Sequence, residues 1–420
     1  MKKLLKKKNQ IIKGKTLIAT VDISKSKHMG YYRCPDGTEA EPFEFLNHRA
    51  GFDQFWSRIS KAMKNCHLKD VVFGFESTGP YAEPLIHYLR QKPVRLVQVN
   101  PMHSKRVKEL QGNSPNKTDR KDPKVIADII ELGHALSLII PEGSAAELRR
   151  LSQARDRSIK RRTALFNQLQ HIVCLVFPEF LHLMKDIKKK SALYLLRHFP
   201  TPQDILAYDK ESLVEALRKV SYGKVGSKRI EALYAAAKDT VGIDQGQEGL
   251  AFEITGIIQT IDVTNHFIKD LEVKMSGHLK QISYSRFILS IKGIGEVTAS
   301  GLIGEVGDFR QFKTVSEITK LAGLDLFEIS SGLHQGNRRI SKRGRPLLRK
   351  LLYCMAVHTV CPVGIMRQSY QGYLDRGMVK KKALIAIARK LLRIIFSLVR
   401  NQSEYIDGYA KNQSVLKEVA

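Results

Sequence analysis

An almost unbroken apolar run, Thr16-Leu-Ile-Ala-Thr-Val-Asp22-Ile23, begins the patterned part of the chain, and its length and β-branched content predict a strand buried on both faces. Met29–Arg33 and Pro42–Leu46 read as two more strands, with Cys34-Pro-Asp-Gly37 as a turn signal, which makes the first three an antiparallel meander. The period then changes. Phe52, Phe55, Trp56 and Ile59 recur at helical spacing to about residue 64, followed by a strand over Asp70–Glu76, a helix over Pro80–Arg90 and a strand over Val94–Val99. Three strands, helix, strand, helix, strand, helix is the order of an RNase H-like α/β domain, here residues 16–135 behind a basic leader at 1–15. In that order the acids that end the strands converge on one edge of the sheet.

The pattern turns helical over 136–286. Leu148, Leu151, Ile159, Leu165, Leu169 and Ile172 lie on one long amphipathic helix, and Ile254, Ile258, Ile261, Ile268, Leu271 and Met275 on another, the signature of a coiled-coil arm. Small helices and loops separate them over Pro200–Gly246. A third region, 287–400, opens with an apolar helix, the hairpin Gly293-Ile-Gly295 and a second helix, a helix-hairpin-helix whose free N–H groups suit a phosphate. Two helices, Leu347–Val360 and Lys380–Val399, close this mostly helical domain before a tail at 401–420.

Charge narrows the function. With 70 Lys plus Arg against 41 Asp plus Glu, the formal net charge is +29, which implies an anionic polymer as partner and, since the cations are spread along the chain, nucleic acid before a membrane surface. No apolar run approaches the roughly 18 residues that span a bilayer, and five widely spaced cysteines fit a reducing cytosol. Cys354-x-x-x-His358-x-x-Cys361 lies in an apolar helical pattern and reads as core packing rather than a zinc site.

Within this basic chain two carboxylates stand three residues apart, in Lys117-Thr-Asp119-Arg120-Lys121-Asp122. On a helix they share a face and can hold a hard divalent cation through oxygen. Asp22 and Glu76, each ending a buried strand, have the setting to join them. Far along the chain, Ser331 is followed by Arg338, Arg339, Lys342, Arg343, Arg345 and Arg349. That is a setting for attack on a phosphodiester, with arginines stabilising the pentavalent charge; taken alone, the serine reads as a turn residue.

Asp22, Glu76-Ser-Thr-Gly-Pro-Tyr81, Asn100-Pro, Lys117-Thr-Asp-Arg-Lys-Asp122, Ile291–Gly295, Ala322-Gly-Leu324, Ser330-Ser-Gly332 and Ile340-Ser-Lys-Arg-Gly344 together resemble the DEDD transposases of the IS110 group of bacterial insertion sequences. The likeness runs over about residues 16–400. It implies a RuvC-like N-terminal domain, a coiled-coil arm for self-association into a dimer or tetramer, and a C-terminal transposase domain with a nucleophilic serine. It further implies a structured bridge RNA that pairs with target and donor double-stranded DNA, in a bacterial, nucleoid-associated setting. Asp22, Glu76, Asp119 and Asp122 fall on the DEDD positions, as ligands of one or two Mg²⁺ ions, and Ser331, next to Ser330, on the serine. Lys117, Arg120, Lys121, Gly293, Gly295, Arg338, Arg339, Lys342, Arg343 and Arg345 are then the candidate nucleic-acid contacts. Two other readings stay open: a RuvC-like nuclease or Holliday-junction resolvase that uses water as nucleophile, and a non-catalytic nucleic-acid binder.

Overall fold

Strand β1 (Thr16–Asp22) is buried along nearly its whole length because it lies inside a sheet with structure on both faces. The remaining strands are β2 (Lys27–Arg33), β3 (Phe43–Leu46), β4 (Asp70–Glu76), β5 (Arg95–Val99) and β6 (Leu136–Ser137), in the spatial order β3-β2-β1-β4-β5-β6. The meander pairs antiparallel, while β1, β4 and β5 run parallel, with Thr16 beside Asp70 and Val21 beside Phe75. This mixed sheet with flanking helices has the RNase H-like order expected of a RuvC-like fold. In the computed structural model, residues 15–76, 79–111, 121–328, 336 and 338–407 are described, and the chain divides into two compact units between Ile140 and Pro141.

Alternation along the strands decides which helix covers which face. Leu17, Ala19, Val21, Phe73 and Phe75 face α1 (Arg49–Asn65) and α2 (Glu83–Leu89), where Phe52, Phe55, Ile59 and Leu85 complete an aromatic-rich core. Ile18, Val72, Val97 and Val99 face the other way, onto Val125, Ile126, Ile129 and Ile130 of α4 (Asp122–Glu131). Two helices follow β5 where the expected order has one: α3 (Pro101–Gln111) precedes α4 and packs against it. Helix α4 sits so close to the sheet that a Cβ added to Gly74 would lie 2.1 Å from Ile130 Cδ1, so glycine is the residue that admits it. Strand β6 is a further addition to the expected order; it pairs antiparallel with β5, Leu136 opposite Gln98.

The second unit is helical. Its frame is α5 (Gly143–Val176) and α11 (Gln247–Lys280), two helices of 34 residues each. They are antiparallel, as their cross-links show: Ser144 with Gln281, Arg155 with Glu272, Arg162 with Asn265 and Gln168 with Glu253. At one end, α6 (Pro178–Met184), α7 (Lys190–His198), α8 (Pro202–Ala207), α9 (Lys210–Ser221) and α10 (Ser227–Lys238) close a core with Leu169, Val173, Ile254 and Ile258. Near the opposite end α13 (Glu296–Val306), preceded by the five-residue α12 (Ser285–Leu289), packs on the start of α5. Helices α14 (Val315–Leu321), α15 (Pro346–Thr359), α16 (Arg367–Asp375) and α17 (Lys380–Asn401) complete this region, with a small hairpin of β7 (Leu326–Phe327) and β8 (Arg339–Ile340). Among the described residues, no helix is long and apolar enough to cross a membrane.

Candidate active site

Parallel pairing brings Asp22 and Glu76 to the same end of neighbouring strands, since Val21 sits opposite Phe75 and each acid is the next residue on its strand. Both have the even parity of Ile18 and Val72, so strand alternation directs them to the face covered by α4. Asp122 is the first residue of that helix. A buried hydrogen bond fixes this junction: the Thr20 hydroxyl donates to the Pro123 carbonyl at 2.7 Å, tying the helix start to the strand two residues before Asp22. Three of the four predicted carboxylates therefore belong to one edge and one face of the sheet. Asp119, with Lys117 and Arg120, lies outside the described residues.

The edge carries a cation of its own. Lys108, on α3, places Nζ 2.6 Å from Asp122 Oδ1, with the lysine side chain 35% and the aspartate side chain 15% exposed. Helix α3 is aimed there by Asn100 at the end of β5, whose side-chain oxygen accepts from the Met102 N–H at 2.9 Å. This gives the Asn100-Pro pair a structural reason: it turns the chain from strand into helix at the carboxylate edge. Asp128, two turns along α4, is held by Arg33 at 2.8 Å.

The three acids offer hard oxygen donors, the chemistry a divalent cation requires, and a cationic nitrogen already meets one of them. Asp22, Glu76 and Asp122 are the described residues that would hold such an ion. Their oxygens are not drawn into a tight cluster. Among the described residues the one group of three ligand-bearing side chains with atoms within 4.8 Å is Cys34, Asp36 and Cys66. That group sits at the other end of the sheet, because Cys34 follows Arg33, the partner of Ile18 near the start of β1. There the two sulfurs lie 2.7 Å apart, and burial together with Cys66 pushes the Cys34 thiol up to about 12. Sequence spacing gave no sign of the pair, 32 residues apart. Asp36 also caps its own turn, accepting from the Thr38 N–H at 2.9 Å.

In the second unit Ser330 and Ser331 lie outside the described residues, but the segments around them are visible. Strands β7 and β8 pair antiparallel, Leu326 opposite Ile340 and Phe327 opposite Arg339, and so close the segment that contains both serines. Three backbone bonds extend the clasp: Ser341 N–H to Asp325 O at 2.9 Å, Lys342 N–H to Gly323 O at 3.0 Å and Arg345 N–H to Leu321 O at 2.7 Å. The Ala322-Gly-Leu324 and Ile340–Gly344 motifs are thus two sides of one support.

The cations after the serine divide into two kinds. Arg339, Lys342 and Arg343 are exposed, as is Arg338, which holds Glu328 at 2.9 Å. Arg345 turns inward. It donates to the Glu305 carbonyl and, with Arg149, stands 3.9 Å from the Glu305 carboxylate, which is 3% exposed and accepts from Gln153 at 3.2 Å. Burial and the neighbouring Arg149 pull Arg345 down to about 10, against the pull of Glu305. Arg349 likewise serves the support, donating to the Ala322 carbonyl at 3.0 Å. Gly293 has φ +96°, a conformation that favours glycine, and lies against Thr359; Gly295 caps the start of α13. His358 and Cys361 are exposed, and Cys354 is half-buried.

Comparison with known proteins adds the family. A model described as Transposase, for the DEDD type of IS110, matches residues 19–178, and one described as Transposase IS116/IS110/IS902 family matches 285–371. The 43.6 kDa protein of insertion element IS110 from Streptomyces coelicolor is 22% identical over 92% of this chain and 94% of its own length. The 42 kDa protein of insertion element IS900 from Mycobacterium paratuberculosis is 23% identical over 69% of this chain and 73% of its own. The transposase for insertion sequence element IS1111A from Coxiella burnetii is 26% identical over 70% and 69%. The chain belongs to the IS110/IS116 family of DEDD insertion-sequence transposases.

Proposed function

We propose that this transposase cuts and rejoins donor and target double-stranded DNA through a serine nucleophile assisted by Mg²⁺, under the guidance of a structured bridge RNA encoded by its own element. The observation that carries the metal-dependent part is the convergence of Asp22, Glu76 and the helix start at Asp122 on one edge and face of the sheet. With Asp119 these acids would hold the metal, which when bound withdraws charge from the scissile phosphate.

Ser331 then attacks phosphorus through Oγ. The Oγ–P bond forms, the P–O bond to the leaving strand breaks, the hydroxyl proton passes to a base and the leaving oxygen takes up a proton. The phosphoserine link keeps the energy of the broken bond until a hydroxyl of the other strand displaces the serine. Exposed Arg339, Lys342 and Arg343, with Arg338, supply positive charge near the backbone. Lys117, Arg120 and Lys121 do so beside the acids, and the turn at Gly293 and Gly295 presents the N–H groups of α13 to a phosphate. Sequence choice is left to RNA pairing, the protein reading shape and backbone. The active form is a homo-oligomer, dimer or tetramer, joined through the paired long helices as a coiled coil.

The test uses purified protein, Mg²⁺, end-labelled DNA and RNA copied from the flanks of the element. Wild type is expected to form a protein–DNA adduct that survives denaturant, and Ser331→Ala and Asp119→Ala are each expected to abolish it. Cleavage that persists in Ser331→Ala but not in Asp119→Ala would overturn the serine and leave a metal-and-water nuclease.

A further inference from the structure

We propose that Lys108 is the resident counter-ion of the carboxylate edge: it holds Asp122 until a divalent cation displaces it, and it then pairs with a backbone phosphate of the bound DNA. The proposal rests on the metal role given above to the acids, and extends it to a residue outside the four.

Three observations carry it. The Nζ–Oδ1 separation of 2.6 Å is a full charge-assisted contact, not a distant pairing. The Asp122 side chain is only 15% exposed, so its charge is largely withdrawn from water and requires a partner. Lys108, in contrast, is 35% exposed and ends in a flexible four-carbon stem, so the ammonium can leave the acid for solvent without unfolding its helix. The other lysine facing along the same side of α3, Lys105, is drawn toward Glu109 at 3.9 Å, which leaves Lys108 as the cation turned to α4.

The exchange follows from charge. An ammonium and a hard divalent ion compete for the same carboxylate oxygen, and the divalent ion carries the larger charge. Once displaced, the ammonium remains within one side-chain length of an edge that works on phosphodiesters, where a phosphate oxygen is the available anion. Lysine then has opposite effects on two ligands: it weakens metal uptake in the free protein and strengthens the hold on DNA.

The experiment measures both with the full chain. Calorimetric titration with Mn²⁺ at fixed pH, without nucleic acid, is run on wild type, Lys108→Ala, Lys108→Arg and Asp122→Asn. Lys108→Ala is expected to bind Mn²⁺ about two- to fivefold tighter, the span of an ion pair of this exposure. Lys108→Arg should stay within about twofold of wild type, as the charge is kept, while Asp122→Asn should bind weakest. With Mn²⁺ saturating, duplex DNA binding by Lys108→Ala should weaken and its salt slope should fall by about one. Mn²⁺ binding by Lys108→Ala that is no tighter than wild type would overturn the proposal while leaving the metal reading intact. Absence of Mn²⁺ uptake by wild type would overturn the metal reading, and the proposal with it.

Discussion

At the carboxylate edge, Asp22 and Glu76 are the last residues of strands whose interior members are buried in the middle of a sheet. The segment that carries Ser331 is closed instead by strands of two residues each, β7 and β8, lying at the surface. The first arrangement is fixed by long-range register: a slip of one residue between β1 and β4 would turn an acid to the opposite face of the sheet. The second is fixed by a local clasp, in which the chain around Gly323 and the chain around Lys342 hold each other and Arg345 anchors both to Glu305. A ladder of this kind keeps several side chains in constant relation. The flanks of the serine segment are held by short-range contacts of backbone and one buried arginine.

Three substitutions bear on that contrast, and Trp56, the only tryptophan, separates them because it reports on the first unit while ellipticity is dominated by the helical second. Glu305→Ala has the largest expected effect, since it leaves Arg149 and Arg345 without the acid that both face. A loss of about 3–5 kcal/mol is expected for a buried pair broken from one side, displacing the ellipticity transition in urea more than the Trp56 emission transition. Equal displacement of both would mean that the clasp is not a local support. Thr20→Val comes next. It removes the donor to the buried Pro123 carbonyl, at an expected cost of about 1–3 kcal/mol read from Trp56; a null result would show that α4 is held by its apolar face alone.

The smallest effect concerns pH. Burial lowers the His28 pKa, opposed by Asn47, so the folded first unit favours the neutral ring, which accepts from the Ser24 N–H at 3.2 Å. Its stabilisation is complete above the unfolded value of about 6.5 and is lost as pH falls through the lower folded value. The Trp56 transition should therefore weaken on acidification below about pH 6.5, by at most about 1.4 kcal/mol per pH unit from this group. In His28→Gln that slope should be shallower, and an unchanged slope would remove the ring from the account.

Much of this was readable in the residues. Strand β4 matches its predicted bounds at Asp70–Glu76, and β1 differs by one residue, because a strand covered on both faces must be apolar throughout. The long helices announced themselves through isoleucines and leucines at helical spacing. Helix α3 did not, since Met102 and Leu110 are exposed and it presents no continuous apolar stripe. Lys108 was hidden with it, one lysine in a chain of net charge +29. The inward turn of Arg345 escaped for a different reason: its acid lies 40 residues earlier, and a run of cations does not reveal which member finds a buried partner. Strands of two residues, such as β6 and β7, carry too little pattern to register before the chain closes on itself.

The paired helices α5 and α11 have a mechanical meaning. Thirty-four residues make a rod about 51 Å long. Between Ser152 and Phe166, α5 contributes no fully buried side chain, whereas the facing stretch of α11 buries Thr264, Ile268 and Leu271, and polar links such as Arg155 to Glu272 and Arg162 to Asn265 join the two. Polar links and the apolar side of α11 thus share the seam through this middle stretch. A strut seamed along its length in this way carries push and pull from one end of the unit to the other.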